Sequence, residues 1–196
     1  NKVLIPRPET EELIEKVLKI IPNKNKKINI LDMGTGSGVI LASLLQELPN
    51  SSGIGTDISI DALKVAKINL TNLNIFSRSK LVNTNWSQGI KTNIFDIVTC
   101  NPPYIDNKYI KNLSKEVKEY EPLIALKGGK NGLDSFRSFL PLARTVMKIN
   151  ALLALEIGFD QSKLLENILY KNKFKLKDII KDISGNKRII IAMSIN

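Results

Sequence analysis

The stretch Ile28-Asn-Ile-Leu-Asp-Met-Gly-Thr-Gly-Ser-Gly38 decides the fold class of this chain. Residues 28–33 have the apolar pattern of a buried strand, and residues 39–48 have the apolar spacing of a helix. Glycines in the turn between them let the backbone approach a ligand, and the first N–H groups of the helix point outward. The stretch therefore predicts a strand–turn–helix unit that binds a nucleotide-like ligand.

The same alternation of strand and helix patterns continues along the chain. Strands are predicted at residues 28–33, up to 57, 79–84, 93–100, 151–157, 173–183 and 187–195, and helices at 8–21, 39–48, 59–70 and 133–148, with another before the sixth strand. This order predicts an α/β fold with a mostly parallel seven-stranded sheet and a C-terminal antiparallel hairpin around Gly185 and Asn186. We place residues 1–196 in one domain, in which residues 1–22 form a leading helix and a substrate-side segment.

Composition excludes several classes of protein and site. The 196 residues are 43% hydrophobic, with one Cys and no His. An intramolecular disulfide, a Ser-His-Asp triad and the usual zinc sites are therefore excluded, and no apolar run reaches the ~18 residues that would cross a bilayer. Without a signal-peptide pattern, we expect a cytoplasmic protein.

The net charge of +10 raises the question of a nucleic-acid partner. The densest basic stretch is Lys171, Lys173, Lys175 and Lys177, which alternates with Phe174 and Leu176. That alternation is typical of a strand with one wet face. We favour this interpretation over a nucleic-acid stripe.

The glycine turn and a second acidic residue form a candidate cofactor site. The turn has GxGxG spacing rather than the GxGxxG that holds a pyrophosphate, which suits S-adenosylmethionine because it has no phosphate. Asp57 ends the second strand, where a carboxylate can accept both ribose hydroxyls. A tight turn that merely needs small residues is the alternative. The candidate cofactor residues are Asp32, Gly34, Thr35, Gly36, Ser37, Gly38 and Asp57.

Asn101-Pro-Pro-Tyr104 follows the fourth strand and therefore lies at the same edge of the sheet. The Asn101 side-chain oxygen can accept one proton of a planar NH2 group, the carbonyl before Pro103 can accept the other, and the Tyr104 ring can stack on the plane. Such a clamp positions a nitrogen toward an electrophilic methyl group without a strong base. We assign catalysis to Asn101, Pro102 and Tyr104, and substrate binding to these and Pro103. The alternative is that the Pro-Pro pair merely ends the strand.

These residues resemble the catalytic domain of the HemK/PrmC-type protein-glutamine methyltransferases over nearly the whole chain. The NPPY motif is shared with enzymes that methylate amino groups of nucleic acids. Residues 7–11 (RPETE) and 128–134 (GGKNGLD) are much more specific, and together they favour release-factor enzymes over relatives acting on a ribosomal protein. The resemblance rests on residues 4–11 (LIPRPETE), 31–38 (LDMGTGSG), 101–104 (NPPY), 120–122 (YEP) with 125–126 (AL), 128–134 (GGKNGLD) and 185–188 (GNKR).

The resemblance implies methyl transfer from S-adenosylmethionine, without a metal, to the side-chain amide of the glutamine in the Gly-Gly-Gln motif of peptide chain release factors. It implies that Gly34–Gly38, Asp57 and Asn101 hold the cofactor and that Trp86 lies near its adenine, with packing alone as the alternative for Trp86. The NPPY residues would grip the glutamine amide. Arg7 and Glu9 would brace the substrate loop.

Two departures from the family pattern affect these expectations. Asn85 precedes Trp86 where the family usually has Asp, a plausible acceptor for the adenine amino group, so we expect weaker or altered adenine recognition. The family's N-terminal helical domain, which helps dock the release factor, is absent from this chain, so we expect lower partner affinity.

Three other functions stay open. An amino-methyltransferase acting on adenine or cytosine of RNA or DNA would share NPPY, although no segment is long enough for a DNA target-recognition region. A glutamine methyltransferase acting on a ribosomal protein and a non-catalytic module are the others.

For Gly128–Gly132 a turn is favoured over a wall of the substrate groove. Cys100 is interpreted as a small buried strand residue, not a nucleophile.

Overall fold

The computed structural model describes residues 3–4, 7–115, 117 and 121–196. Helices α1–α5 of this part span Pro8–Ile20, Val39–Glu47, Ile60–Asn72, Asp134–Val146 and Ser162–Lys171. Strands β1–β9 span Asn29–Met33, Ser52–Asp57, Ser79–Asn83, Phe95–Cys100, Ile105–Asp106, Lys127–Gly129, Met147–Glu156, Phe174–Lys181 and Lys187–Ser194. Among these helices, none is long and apolar enough to span a membrane.

Seven of the described strands form one sheet in the order β3-β2-β1-β4-β7-β9-β8. The first five strands in this order are parallel to one another, and β9 is antiparallel to both β7 and β8. The predicted α/β fold with a C-terminal hairpin is therefore confirmed. Because parallel strands end at the same edge, this order brings together the residues that follow β1, β2, β4 and β7.

Apolar residues on both faces of β1 explain why this strand is central. Leu31 and Met33 belong to the cluster on one side of the sheet, which includes Phe136 of α4. Ile30 belongs to the cluster on the other side, with Leu13 of α1. A strand covered on both faces has the near-continuous apolar run seen here.

The helix predicted at 133–148 is wrong at its end. The helix stops at Val146, and Met147 already belongs to β7, where it pairs with Phe95. The register then shifts before Ile97 pairs with Leu152. Met147 is apolar and follows the helical spacing, so periodicity could not separate the end of the helix from the start of the strand.

Two short strands were not predicted at all. Ile105–Asp106 (β5) pairs in parallel with Lys127–Gly129 (β6) in a separate two-stranded sheet of the described residues. The predicted turn at Gly128–Gly132 is thus partly a strand. Strands of two or three residues are too short to show a period, and their pairing joins segments about twenty residues apart in the sequence.

Candidate active site

The three glycines of the turn after β1 adopt a backbone conformation that other residues rarely take. Gly34, Gly36 and Gly38 all have positive φ, at 66°, 56° and 80°. The Gly36 N–H donates to Asp57 Oδ2 at 2.9 Å, and the Ser59 N–H donates to Asp57 Oδ1 at 2.8 Å. The carboxylate at the end of β2 is therefore held between the turn and the start of α3.

Asp32 is buried beside the turn and makes its hydrogen bonds within the protein. Only 1% of its surface is exposed, and its two oxygens accept hydrogen bonds from the hydroxyls of Thr35 at 2.6 Å and Thr99 at 2.7 Å. Burial raises the pKa of Asp32 from 3.8 to about 6, the charge of Asp57 also raises it, and the two hydroxyls oppose the change. Asp32 fastens the turn to β4, and its direct contact with a cofactor stays a prediction.

A cavity of about 330 Å³ opens at this edge of the sheet. It brings together most of the predicted cofactor residues with part of the NPPY motif. The predicted site residues that line it are Gly34, Thr35, Gly36, Ser37, Asp57, Asn85, Trp86, Asn101 and Pro103. The predicted residues outside its lining are Arg7, Glu9, Asp32, Gly38, Pro102 and Tyr104.

Trp86 both packs against the protein and lines the cavity. Its ring centroid lies 5.3 Å from that of Phe139, and its indole N–H donates to Ser138 Oγ at 3.1 Å. Trp86 also lies close to the glycine turn, because a Cβ built on Gly34 would be 3.5 Å from Trp86 Cζ3. The two alternatives raised for Trp86 are therefore compatible, since packing holds the ring at the cavity wall.

The NPPY motif is tied to a buried carboxylate, Glu156 at the end of β7. Asn101 Nδ2 donates to Glu156 Oε2 at 2.8 Å, and the Tyr104 hydroxyl donates to Glu156 Oε1 at 3.1 Å. The Thr10 hydroxyl of α1 donates to Oε2 at 2.9 Å. Burial raises the pKa of Glu156. Burial also raises the pKa of Tyr104, and the neighbouring charge of Glu156 raises it further.

Sequence reasoning missed Glu156 and Gln161. Gln161 Oε1 accepts from the Gly158 N–H at 2.9 Å, while its Nε2 donates to the carbonyls of Tyr104 at 2.8 Å and Asn131 at 3.1 Å. This one side chain joins the end of β7 to two loops. A signal existed only for Glu156, because a carboxylate in the apolar run 151–157 needs hydrogen-bond partners.

Arg7 and Glu9 make contacts that connect other segments of the family pattern. Arg7 Nη2 donates to both oxygens of Glu121, at 3.2 and 2.9 Å. Glu9 lies 3.8 Å from Arg188, which also pairs with Asp182 at 2.9 Å. The start of α1 is thus joined to Glu121 and Arg188, which belong to two other segments of the family pattern. Ile5, Pro6 and Tyr120 of these segments lie outside the described residues.

Cys100 is buried at the end of β4, as predicted. Burial raises the pKa of its thiol, and the nearby carboxylates of Asp32 and Asp57 raise it further. A thiol in that setting stays protonated, so it is not a nucleophile.

Residues 12–119 match the family model described as methyltransferase small domain. The chain is 40% identical over 196 residues to the release factor glutamine methyltransferase of Clostridium acetobutylicum, covering 97% of this chain and 67% of that protein. It is 39% identical over 193 residues to the enzyme of that name from Caulobacter vibrioides, covering 98% and 66%. This chain belongs to the release factor glutamine methyltransferase family.

The chain spans only part of the length of several relatives. The chain spans 66% of the Caulobacter protein and 41% of the bifunctional methyltransferases of three Rickettsia species. Among solved structures, a SAM-dependent methyltransferase from Aquifex aeolicus aligns with a TM-score of 0.65 at 18% identity, covering 96% of this chain and 94% of that one. This likeness confirms the predicted Rossmann-like methyltransferase fold.

Proposed function

We propose that the chain transfers a methyl group from S-adenosylmethionine to the side-chain amide nitrogen of the glutamine in the Gly-Gly-Gln motif of peptide chain release factors. The observation that carries this proposal is that one cavity is lined both by the glycine turn with Asp57 and by Asn101 and Pro103. A methyl donor and an amide acceptor could therefore meet there. The names of the relatives support the choice of substrate.

The residues at the turn fit this cofactor. Each Asp57 oxygen already accepts one backbone N–H, and a carboxylate has about four acceptor positions in all, so capacity is left for two ribose hydroxyls. The half-buried ring of Trp86 offers an apolar wall, and Asn85 beside it offers a carbonyl oxygen. When bound, S-adenosylmethionine would supply an electrophilic methyl group to the amide nitrogen, which loses one proton, and S-adenosylhomocysteine would be left as the product.

The NPPY residues would act by positioning the substrate amide. The Asn101 oxygen and the Pro102 carbonyl accept the two N–H protons, so the nitrogen lone pair is directed at the methyl carbon. The Pro-Pro pair limits the motion of this loop. Since the nitrogen is held rather than deprotonated beforehand, the absence of His from the sequence is no obstacle.

The partner is accordingly a release factor, approached through its Gly-Gly-Gln loop, and nucleic acid is not the substrate. We also propose that residues 1–196 form one catalytic domain and that docking of the release factor depends on a further helical domain. A cytoplasmic location is part of the same proposal.

Mass spectrometry of a release factor incubated with this chain and S-adenosylmethionine tests the proposal, with RNA and DNA in parallel. One methyl group on the Gly-Gly-Gln glutamine is the expected result. Asn101→Ala should lower kcat by roughly 100-fold, about 3 kcal/mol, and leave cofactor binding largely intact, because the glycine turn and Asp57 remain. Methylation of nucleic acid alone would favour the alternative enzyme. If neither the release factor nor nucleic acid gained a methyl group, even after the family's helical domain was added to the chain, a non-catalytic module would be favoured.

A further inference from the structure

We infer that Glu156 is a positioning residue that sets which end of the Asn101 amide faces the substrate, an inference that rests on the proposed function. Glu156 is 1% exposed, and its carboxylate is met by three donor groups, one from α1 and two from the NPPY motif. These are the Thr10 hydroxyl, the Asn101 amide and the Tyr104 hydroxyl.

The chemistry of the two groups determines the orientation of the amide. The Glu156 carboxylate accepts the hydrogen bonds of all three donors, so the NH2 end of Asn101 turns toward it, at 2.8 Å. Within the part of the chain that the structure describes, no group donates to Asn101 Oδ1. That oxygen stays available at the cavity that Asn101 lines, where an NH2 group of a substrate would need an acceptor. If the Asn101 amide were reversed, its NH2 group would face the NH2 group of the substrate, and neither could accept a hydrogen bond from the other.

Packing alone does not explain a carboxylate at this position. Burial of a charge is unfavourable, and in the described residues no Lys or Arg forms a salt bridge with Glu156. The charges that act on it from a greater distance are Arg7, which favours ionisation, and Glu9, which opposes it. An apolar side chain would pack at the end of β7 without this penalty, so the acceptor itself is what the position supplies.

Two variants of similar size separate positioning from packing. In Glu156→Gln the amide oxygen can still accept from Asn101 and Thr10, and its NH2 can donate to the Tyr104 hydroxyl. Glu156→Met has the same length and no comparable acceptor. We expect kcat for glutamine methylation to stay within about fivefold of wild type for the Gln variant. For the Met variant, kcat should fall about 100-fold while Tm and the cofactor Kd change little.

Combination with Asn101→Ala gives the decisive readout. If Glu156 acts through Asn101, Glu156→Met should lower kcat no further in the Asn101→Ala background. Two effects that multiply, or a Met variant that keeps full activity, would overturn the inference. A wild-type chain that methylates no glutamine would instead overturn the proposed function, so the two failures are distinguishable.

An NMR measurement on the wild type covers the case in which Glu156→Met does not fold. The side-chain amide signals of Asn101 are identified by their loss in Asn101→Ala. Hydrogen bonding to a buried carboxylate should slow their exchange with solvent well below that of exposed Asn side chains. Exchange as fast as that of exposed Asn side chains would overturn the inference.

Discussion

Gly128 lies directly against the backbone of Tyr104. A Cβ on Gly128 would come within 2.7 Å of both the Cα and the carbonyl carbon of Tyr104. A Cβ on Gly132 would come still closer to the Tyr104 carbonyl oxygen, and Gln161 donates a hydrogen bond to that oxygen. The glycine stretch that follows the NPPY loop in sequence is therefore its support in space, and side chains at these two glycines would move the loop.

Gly128→Ala should disturb catalysis more than cofactor binding. Gly128 has no positive φ, so the substitution acts through the clash with Tyr104, at about 1–3 kcal/mol of stability. We expect kcat to fall at least about tenfold as the loop shifts, with little change in the cofactor Kd, measured by calorimetry. Gly89→Ala is the control, because its φ is 75° and a Cβ there meets nothing within 4 Å. It should lower stability by about 1–2 kcal/mol and leave kcat unchanged.

Asp32→Asn should change how stability depends on pH. The pKa of Asp32 is raised from 3.8 to about 6 by burial, so its contribution to stability is full below about pH 4 and is lost as the pH rises through 6. The Asn variant lacks this titration. Its free energy of unfolding relative to wild type should therefore rise by up to ~3 kcal/mol between about pH 4 and pH 7, measured by urea unfolding.

Asp178→Asn is the matched control for this titration. Lys16 lowers the pKa of this exposed carboxyl, so the stability it contributes is present at neutral pH and is lost on acidification. Relative to wild type, the Asp178 variant should lose stability as the pH rises, which is the opposite sign. A difference between Asp32→Asn and wild type that does not vary with pH would contradict the raised pKa.

Asn85→Asp should strengthen cofactor binding. Asn85 lines the cavity beside Trp86, and the family pattern has Asp there. A charged acceptor for the adenine amino group is stronger than an amide by about 1 kcal/mol, which corresponds to a roughly fivefold lower Kd in calorimetry. An analogue with oxygen in place of the amino group should show no gain. Equal gains for both ligands would mean that Asn85 does not face the adenine amino group.

Arg7 and Glu121 should be energetically coupled. The Glu121 side chain is 5% exposed and that of Arg7 37%, so the pair is partly shielded from water. A double-mutant cycle with Arg7→Met and Glu121→Gln should give a coupling of about 1 kcal/mol in the free energy of unfolding. If the pair braces the substrate loop, Arg7→Met should also raise KM for the release factor more than KM for the cofactor.

The exposed pair of Lys24 and Glu47 is the control for this cycle. Its side chains are 50% and 54% exposed at a separation of 2.8 Å, so the same substitutions should show almost no coupling. Equal coupling in the two pairs would show that the burial of Glu121 does not matter.

The sequence by itself determined the strands of the main sheet, most of the helices, and the edge of the sheet where the cavity lies. Local features carried these predictions: the strand and helix patterns, the glycines after β1 and the carboxylate that ends β2. Each of them can be recognised from a short stretch of neighbouring residues. They predicted the strand–turn–helix unit, Asp57 and Asn101 without any knowledge of distant contacts.

Only the tertiary structure decided what holds the site together. Thr10, Asn101 and Tyr104 meet at Glu156 although 146, 55 and 52 positions separate them from it, and no periodicity records such a meeting. The support of Tyr104 by Gly128 likewise depends on a two-stranded pairing too short to leave a pattern. Hydrogen bonds between distant segments depend on where the sheet brings the chain back, and that placement is a property of the whole fold.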